Sequence, residues 1–197
     1  MIYQEQKFDL PTLTGISPKQ VEVHLKLYGG YVKNLGTLMS TVEELKKDSE
    51  KNAYALSEVT RRIAFEFDGM RMHEYYFSQW EKSAQEPDPG SALAESLTRQ
   101  YGSLENWMNE FKAVGMMRGI GWTVLYFDEK AGLFLNTWVG DHELGQLSGL
   151  PVVLAMDMWE HAYMVDYVPA EKSKYVDAFF ANLNWGVIEE RFKNTCL

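Results

Sequence analysis

Cysteine is nearly missing from this chain. Cys196 is the only one in 197 residues, so no internal disulfide can brace the fold or report on its redox compartment. Positive charge is scarce as well: 19 Lys and Arg stand against 28 Asp and Glu, a formal net charge of −9, and no basic run breaks the pattern. That balance argues against nucleic acid as a partner. No apolar stretch approaches the ~20 residues that a membrane-spanning helix needs, and the opening MIYQEQKFDLP carries no basic segment followed by an apolar one. The expectation is a cytoplasmic protein with no membrane contact. Internal repeats and low-complexity tracts are absent too, and histidine occurs only at positions 24, 73, 142 and 161. What the chain has in quantity is aromatic bulk, with 6 Trp, 11 Tyr and 10 Phe. It can bury a substantial core, as one compact unit or two closely joined halves.

The first half reads as an antiparallel helical hairpin. Ser17, Pro18 and Gln20 make a helix start, with Ser as N-cap, Pro at the first helical position and Gln placed to close a capping box. From there Val21, His24, Tyr28, Tyr31, Leu35 and Leu38 recur at spacings of three and four, one face of a helix. A second stripe runs through Leu56, Val59, Ile63, Phe67, Met70, His73, Phe77 and Trp80. Each stripe gives an apolar position to a histidine, and the charged connector EELKKDSEKN at 43–52 lets the two face inward together. QEPDPG at 85–90 stops the second helix and is the linker between two expected domains, 1–85 and 90–197. Beyond it, 91–101 and 103–117 read as helices, 120–127, 133–139 and 150–156 as strands, and 170–183 and 184–192 as helices again. The predicted fold class is α+β: an N-terminal helical hairpin packed on a C-terminal half with a three-stranded antiparallel sheet and helices.

Chemistry concentrates in DMWEHAY, 157–163, directly after the apolar run from Leu150 to Met156. Ionisable groups at the end of a buried strand are costly unless something charged or hydrogen-bonding meets them. Asp157 and His161 offer one hard oxygen and one imidazole nitrogen, a pair suited to iron, manganese or zinc. The same two residues also suit a capping Asp followed by a core histidine. Likewise, an inward His24 or His73 taken singly is more often a core residue bonded to a backbone carbonyl than a ligand.

Several ordered motifs together resemble the iron/manganese superoxide dismutases, over nearly the whole chain. ISPKQVEVH at 16–24 and MHEYYF at 72–77 resemble the segments that carry the family's first two ligands, and GIGWTVL, DMWEHAY and NLNWGVIEERF follow in the family's order. The resemblance implies metal ligands at His24, His73, Asp157 and His161, a solvent molecule as the fifth, and one Fe or Mn ion per chain. His142, in GDHEL, falls where some members place a His and many manganese members a Gln bonded to that solvent; Gly69 stands where many iron enzymes carry an alternative Gln. A slight lean to iron follows from the His. Tyr31 is the candidate gateway tyrosine. Around the site fall Tyr28, Tyr76, Trp122, Trp159, Glu160 and Tyr163, with Trp185 also expected to help wall it from water. Superoxide is the implied substrate and a homodimer, or a higher oligomer, the implied assembly, with Glu160 reaching the partner's His161.

The chain departs from the family pattern twice. KLYGGYV replaces the common KHHxxYV and is one residue shorter between His24 and the tyrosine; Tyr28 stands in place of a histidine, and the Gly29-Gly30 pair is expected to let the helix deform. Val168 and Pro169 follow Tyr167, where members often carry Lys or Arg, so Arg118 and Lys33 become candidates for local positive charge. A ferritin-like di-iron site would need Glu three residues before a histidine, whereas Val21, Met70, Val139 and Met158 occupy those places. A non-haem iron oxygenase would use two histidines and a carboxylate, against the three available here. The remaining alternative to a dismutase is a catalytically silent metal-binding or structural dimer of the same fold.

Overall fold

Residues 3–195 are described by a computed structural model; Cys196 lies outside them. Helix α1 (Pro18–Leu45) opens with Ser17 in extended conformation, its Oγ accepting from Gln20 N at 3.1 Å. The capping box is only half made. Gln20 instead sends Nε2–H to His161 O at 2.6 Å and accepts from Val165 N at 3.0 Å, while the Ser17 N–H donates to Asp166 Oδ2 at 2.6 Å. The start of α1 is thereby tied to the loop that carries His161.

Contrary to the expected deformation, α1 runs through Gly29 and Gly30 without a break. Gly29 serves a close approach instead: a Cβ there would lie 3.0 Å from the carboxylate of Glu5, in the N-terminal arm. A 3-10 turn at Lys46–Asp48 leads to α2 (Ala53–Ser78), which packs antiparallel on α1. Burial concentrates at the ends nearest the chain's remainder, including Gln20, His24, Tyr28, Met70, His73, Tyr76 and Phe77, so the hairpin's far end stands clear of the core.

After α3 (Ala92–Tyr101) and α4 (Leu104–Gly115) come β1 (Gly121–Asp128), β2 (Leu133–Gly140) and β3 (Val152–Asp157). The order is β2-β1-β3, all pairs antiparallel. This is the expected sheet, with the first strand beginning at 121 and the third covering 152–157, because Pro151 and the turn before it leave Leu150 outside the ladder. The helix from 103 stops at Gly115, and that expected over 170–183 is a 3-10 turn (Pro169–Glu171) followed by α5 (Lys172–Ala181). Helix α6 (Trp185–Thr195) completes the α+β fold.

Strand β3 is an edge, yet every one of its residues is buried. Its backbone is met by side chains: Gln79, just past α2, donates to Ala155 O and accepts from Ala155 N, and Arg191 of α6 donates to Val153 O at 2.9 Å. Covering an edge in this way satisfies groups that would otherwise pair with another chain. It also fixes the strand whose last residue is Asp157. Register then sets Trp122 opposite Asp157, so the start of β1 and the ends of β2 and β3 form one corner of the sheet, against which α2 packs. Gly121 occupies that corner at φ +149°, where a Cβ would fall 2.1 Å from Val139 O. Among the described residues no helix is long and apolar enough to cross a membrane.

Candidate metal centre

Four side chains converge between the hairpin and the sheet corner. His24 from α1, His73 from α2, Asp157 at the end of β3 and His161 in a 3-10 turn (Glu160–Ala162) each offer an atom, all within 4.8 Å of one another. Asp157 Oδ2 is the hub, 2.9 Å from His24 Nε2, 3.1 Å from His161 Nε2 and 3.5 Å from His73 Nε2. Asp157 Oδ1 accepts from Trp159 N at 2.9 Å, which aims the other oxygen into the cluster. The capping role and the cluster role thus fall on different oxygens of one carboxylate.

A cation fits this arrangement by its donors. His73 Nδ1–H donates to Gly69 O at 2.6 Å, which leaves Nε2 with a free lone pair, and that buried nitrogen has no hydrogen-bond partner. Burial opposes ionisation of Asp157, yet His161 and His24 outweigh it and hold the carboxyl far below its ordinary range. Burial pushes the His24 imidazole down, with Asp157 opposing, and pushes His73 well down, helped by the charge of His24. A buried carboxylate facing three imidazoles, with His73 Nε2 presented as a lone pair, makes a pocket of nitrogen and oxygen donors, which is what a borderline or hard divalent or trivalent metal requires.

Beside the cluster lies a hydrogen-bonded row. Trp122 Nε1–H donates to His142 Nδ1 at 2.9 Å, and His142 Nε2 is 2.7 Å from the Tyr31 hydroxyl. An indole nitrogen can only donate, so Nδ1 is the accepting nitrogen and the neutral ring carries its proton on Nε2. His142 therefore donates to Tyr31, and its pKa, pushed down to about 4 chiefly by burial, keeps it neutral. Burial and the charge of Asp157 hold the Tyr31 phenol well above its ordinary value, so it stays protonated. Trp159 stacks on His142 at 4.9 Å and on His161 at 5.6 Å, and Trp122 meets His73 edge-on at 5.0 Å.

Residues 89–191 match the family described as iron/manganese superoxide dismutases, C-terminal domain. The chain is 36% identical over 186 residues to a superoxide dismutase [Fe] of Cupriavidus metallidurans, covering 91% of this chain and 90% of that one. It is 31% identical to a superoxide dismutase [Fe] of Sulfolobus acidocaldarius, covering 90% and 86%, and 32% identical to superoxide dismutase [Mn] 1 of Halobacterium salinarum, covering 83% and 80%. The chain belongs to the iron/manganese superoxide dismutases.

Within this dismutase fold the other expected residues divide. Tyr76 lies 5.0 Å from the His24 ring and bonds Tyr175 at 3.1 Å; Tyr175, which sequence reading passed over, donates to Asp157 O at 2.6 Å, and Tyr163 stacks on Tyr175 at 5.2 Å. Tyr28 is fully buried but turns its hydroxyl away, accepting from Gln6 N at 2.8 Å and donating to Glu74 at 3.1 Å. Trp185 packs on Trp107 at 5.8 Å rather than on a ring of the cluster. Glu160 is exposed; its carbonyl accepts from Tyr163 N and Met164 N, while its carboxylate makes no hydrogen bond or ion pair among the described residues.

Arg62 lies beside the gateway pair, where its charge opposes the burial that raises the Tyr31 phenol and adds slightly to the burial that lowers His142. Its guanidinium lies 3.6 Å over Phe65, which in turn meets His142 at 4.7 Å. Arg62 and Phe65 sit one turn apart on α2, on the rows leading to Gly69 and His73, a spacing that was present in the sequence but outside the apolar stripe.

Proposed function

We propose that His24, His73, Asp157 and His161 hold one iron or manganese ion per chain and that the chain dismutates superoxide to dioxygen and hydrogen peroxide. One observation carries this reading: the buried, unpartnered His73 Nε2 aimed at Asp157 among two further imidazoles. Bound there, the ion supplies a centre that alternates between the 3+ and 2+ states, which zinc cannot do. Two halves, 1–85 and 90–197, would each contribute two ligands.

The protein's own part is to hold, shield and deliver a proton. Asp157 is fixed by Trp159 N and, through its backbone, by Tyr175, so its oxygen keeps its aim without relaxing. Gly69 O sets the tautomer and plane of His73. Trp122, Trp159, Tyr76 and Phe77 exclude bulk water around the rings. Tyr31 O accepts from His142 Nε2–H, which leaves the Tyr31 hydroxyl proton directed to whatever arrives beside it. A superoxide anion entering there meets a proton donor, and the His142 Nε2–H bond steadies the phenol oxygen until solvent returns the proton. The shallow opening lined by Arg62, Phe65 and Glu143 lies next to this pair and is the substrate's approach.

Iron is the preferred ion of this reading, supported by the His at position 142 and by the iron-named relatives, although a manganese-named relative is similar to a comparable degree. A homodimer joined near the site is part of the proposal, with Glu160 bonding the partner's His161. Supporting it are the unpaired, exposed Glu160 and the exposed apolar side chains Met164, Val165 and Val168 that follow it. Replacing His73 or Asp157 with Ala tests the site. Both variants should lose metal retention and superoxide consumption together, and a variant keeping full occupancy and activity would show the ligand assignment to be wrong.

A further inference from the structure

We infer that Gly69 is a positioning residue for Tyr31: the side chain that Gly69 lacks is the seat of the Tyr31 ring, and this seat holds the phenol oxygen against His142. The inference deepens the reading of Tyr31 as a proton donor at the centre, and its test keeps the two separable.

A Cβ on Gly69 would lie 2.6 Å from Tyr31 Cδ1, 2.9 Å from Cε1 and 3.0 Å from Cγ. Carbon atoms rest in contact at roughly 3.5–4.0 Å, so one added methyl must drive the ring away. The ring has nowhere to yield without losing its partner. Its oxygen is 2.7 Å from His142 Nε2, and its centroid is 5.1 Å from His73 and 6.1 Å from Phe65. Nothing in the backbone asks for glycine at this point: Gly69 lies inside α2, and it is not among the residues with positive φ. Glycine within a helix is intrinsically worse than alanine. The neighbouring ring is therefore what makes alanine unfavourable.

The seat follows from the spacing on α1. Tyr31 is seven residues after His24, close to two full turns, so both project toward α2 from the same face. A tyrosine placed there needs a residue without a side chain opposite it. Gly69 also accepts from His73 Nδ1 at 2.6 Å, so the same residue touches both the gateway and a ligand. With the ring seated, a side chain at position 69 has no room on this face of α2.

The test uses the metal-loaded full chain, with thermal unfolding, metal content and superoxide consumption measured for Gly69→Ala, Tyr31→Phe, Tyr31→Ala and their combinations. Gly69→Ala should lower Tm and reduce turnover by the same factor as Tyr31→Phe while metal content is kept, and combining it with Tyr31→Phe should cost no further turnover. In the Tyr31→Ala background the ring is gone, and helix propensity alone should make Gly69→Ala raise Tm by about 2–4 °C. A lowered Tm in both backgrounds, or a turnover loss that multiplies with that of Tyr31→Phe, would overturn the inference. Should Gly69→Ala fail to fold, recovery of folded, metal-loaded protein in the Tyr31→Ala combination supports the seat, and no recovery overturns it. Full turnover in Tyr31→Phe would remove the proton-donor reading and leave the Tm reversal to decide the packing.

Discussion

Trp122→Phe tests the row that sets the proton on His142. The substitution keeps an apolar ring beside His73 and removes only one donor, the Nε1–H that meets His142 Nδ1 at 2.9 Å. Both residues are fully buried, so no water replaces that donor directly. An orphaned buried acceptor costs about 1–3 kcal/mol, and the bond itself accounts for a net 0.5–1.5 kcal/mol or so. The ring can respond by moving its proton to Nδ1, in which case Nε2 would accept from Tyr31 and the direction of the row would reverse. A bias of that size shifts the tautomer ratio by about two- to tenfold. Because a smaller ring also leaves a cavity, the pair is best isolated by a double-mutant cycle with His142→Leu, read by urea unfolding of the metal-free protein. The expected coupling is about 0.5–1.5 kcal/mol, with turnover of the metal-loaded Trp122→Phe protein falling alongside. A coupling near zero, or nitrogen NMR of the wild type showing His142 protonated at Nδ1, would refute the assignment.

The remaining predictions probe other links. Glu160→Ala should weaken dimerisation and loosen metal binding, measured by sedimentation and metal content; a wild type that is strictly monomeric and fully active would contradict it. His142 has a folded pKa of about 4, below its ordinary value of 6.5, so its neutral form stabilises the fold fully above about pH 6.5, and that contribution is lost as pH falls toward 4. The gap corresponds to roughly 3 kcal/mol, and His142→Gln should flatten the fall of the urea midpoint over this window in metal-free protein. Tyr28→Phe, which frees Gln6 N and Glu74 but touches no ligand, should cost about 1 kcal/mol in urea unfolding and leave turnover unchanged.

The hairpin and the sheet were legible because their causes are local. Ser17 caps α1, the spacings of three and four bury His24 and His73, and three apolar runs bounded by turns pair as the antiparallel sheet. Ionisable groups at apolar positions marked His24, His73 and Asp157 as candidates, with His161 four residues on, and the resemblance to the family's ordered motifs joined the four into one ligand set. What was not legible depends on contacts between distant elements. Gly29 looked like a place for the helix to deform, whereas it makes room for Glu5; Gln20 looked like half of a capping box, whereas it binds the His161 loop. Trp185 carried the same apolar signal as Trp122, and only the register that sets Trp122 beside Asp157 separates the two. The direction of the bond between His142 and Tyr31 needs Trp122 in place before it can be assigned at all.

The most direct measurement is metal content per chain together with superoxide consumption for protein stripped of metal and reloaded separately with iron, manganese or zinc. The account predicts one ion per chain, activity restored by iron or manganese, and zinc held without activity. Activity in the stripped protein, or none after full loading with either iron or manganese, would contradict it.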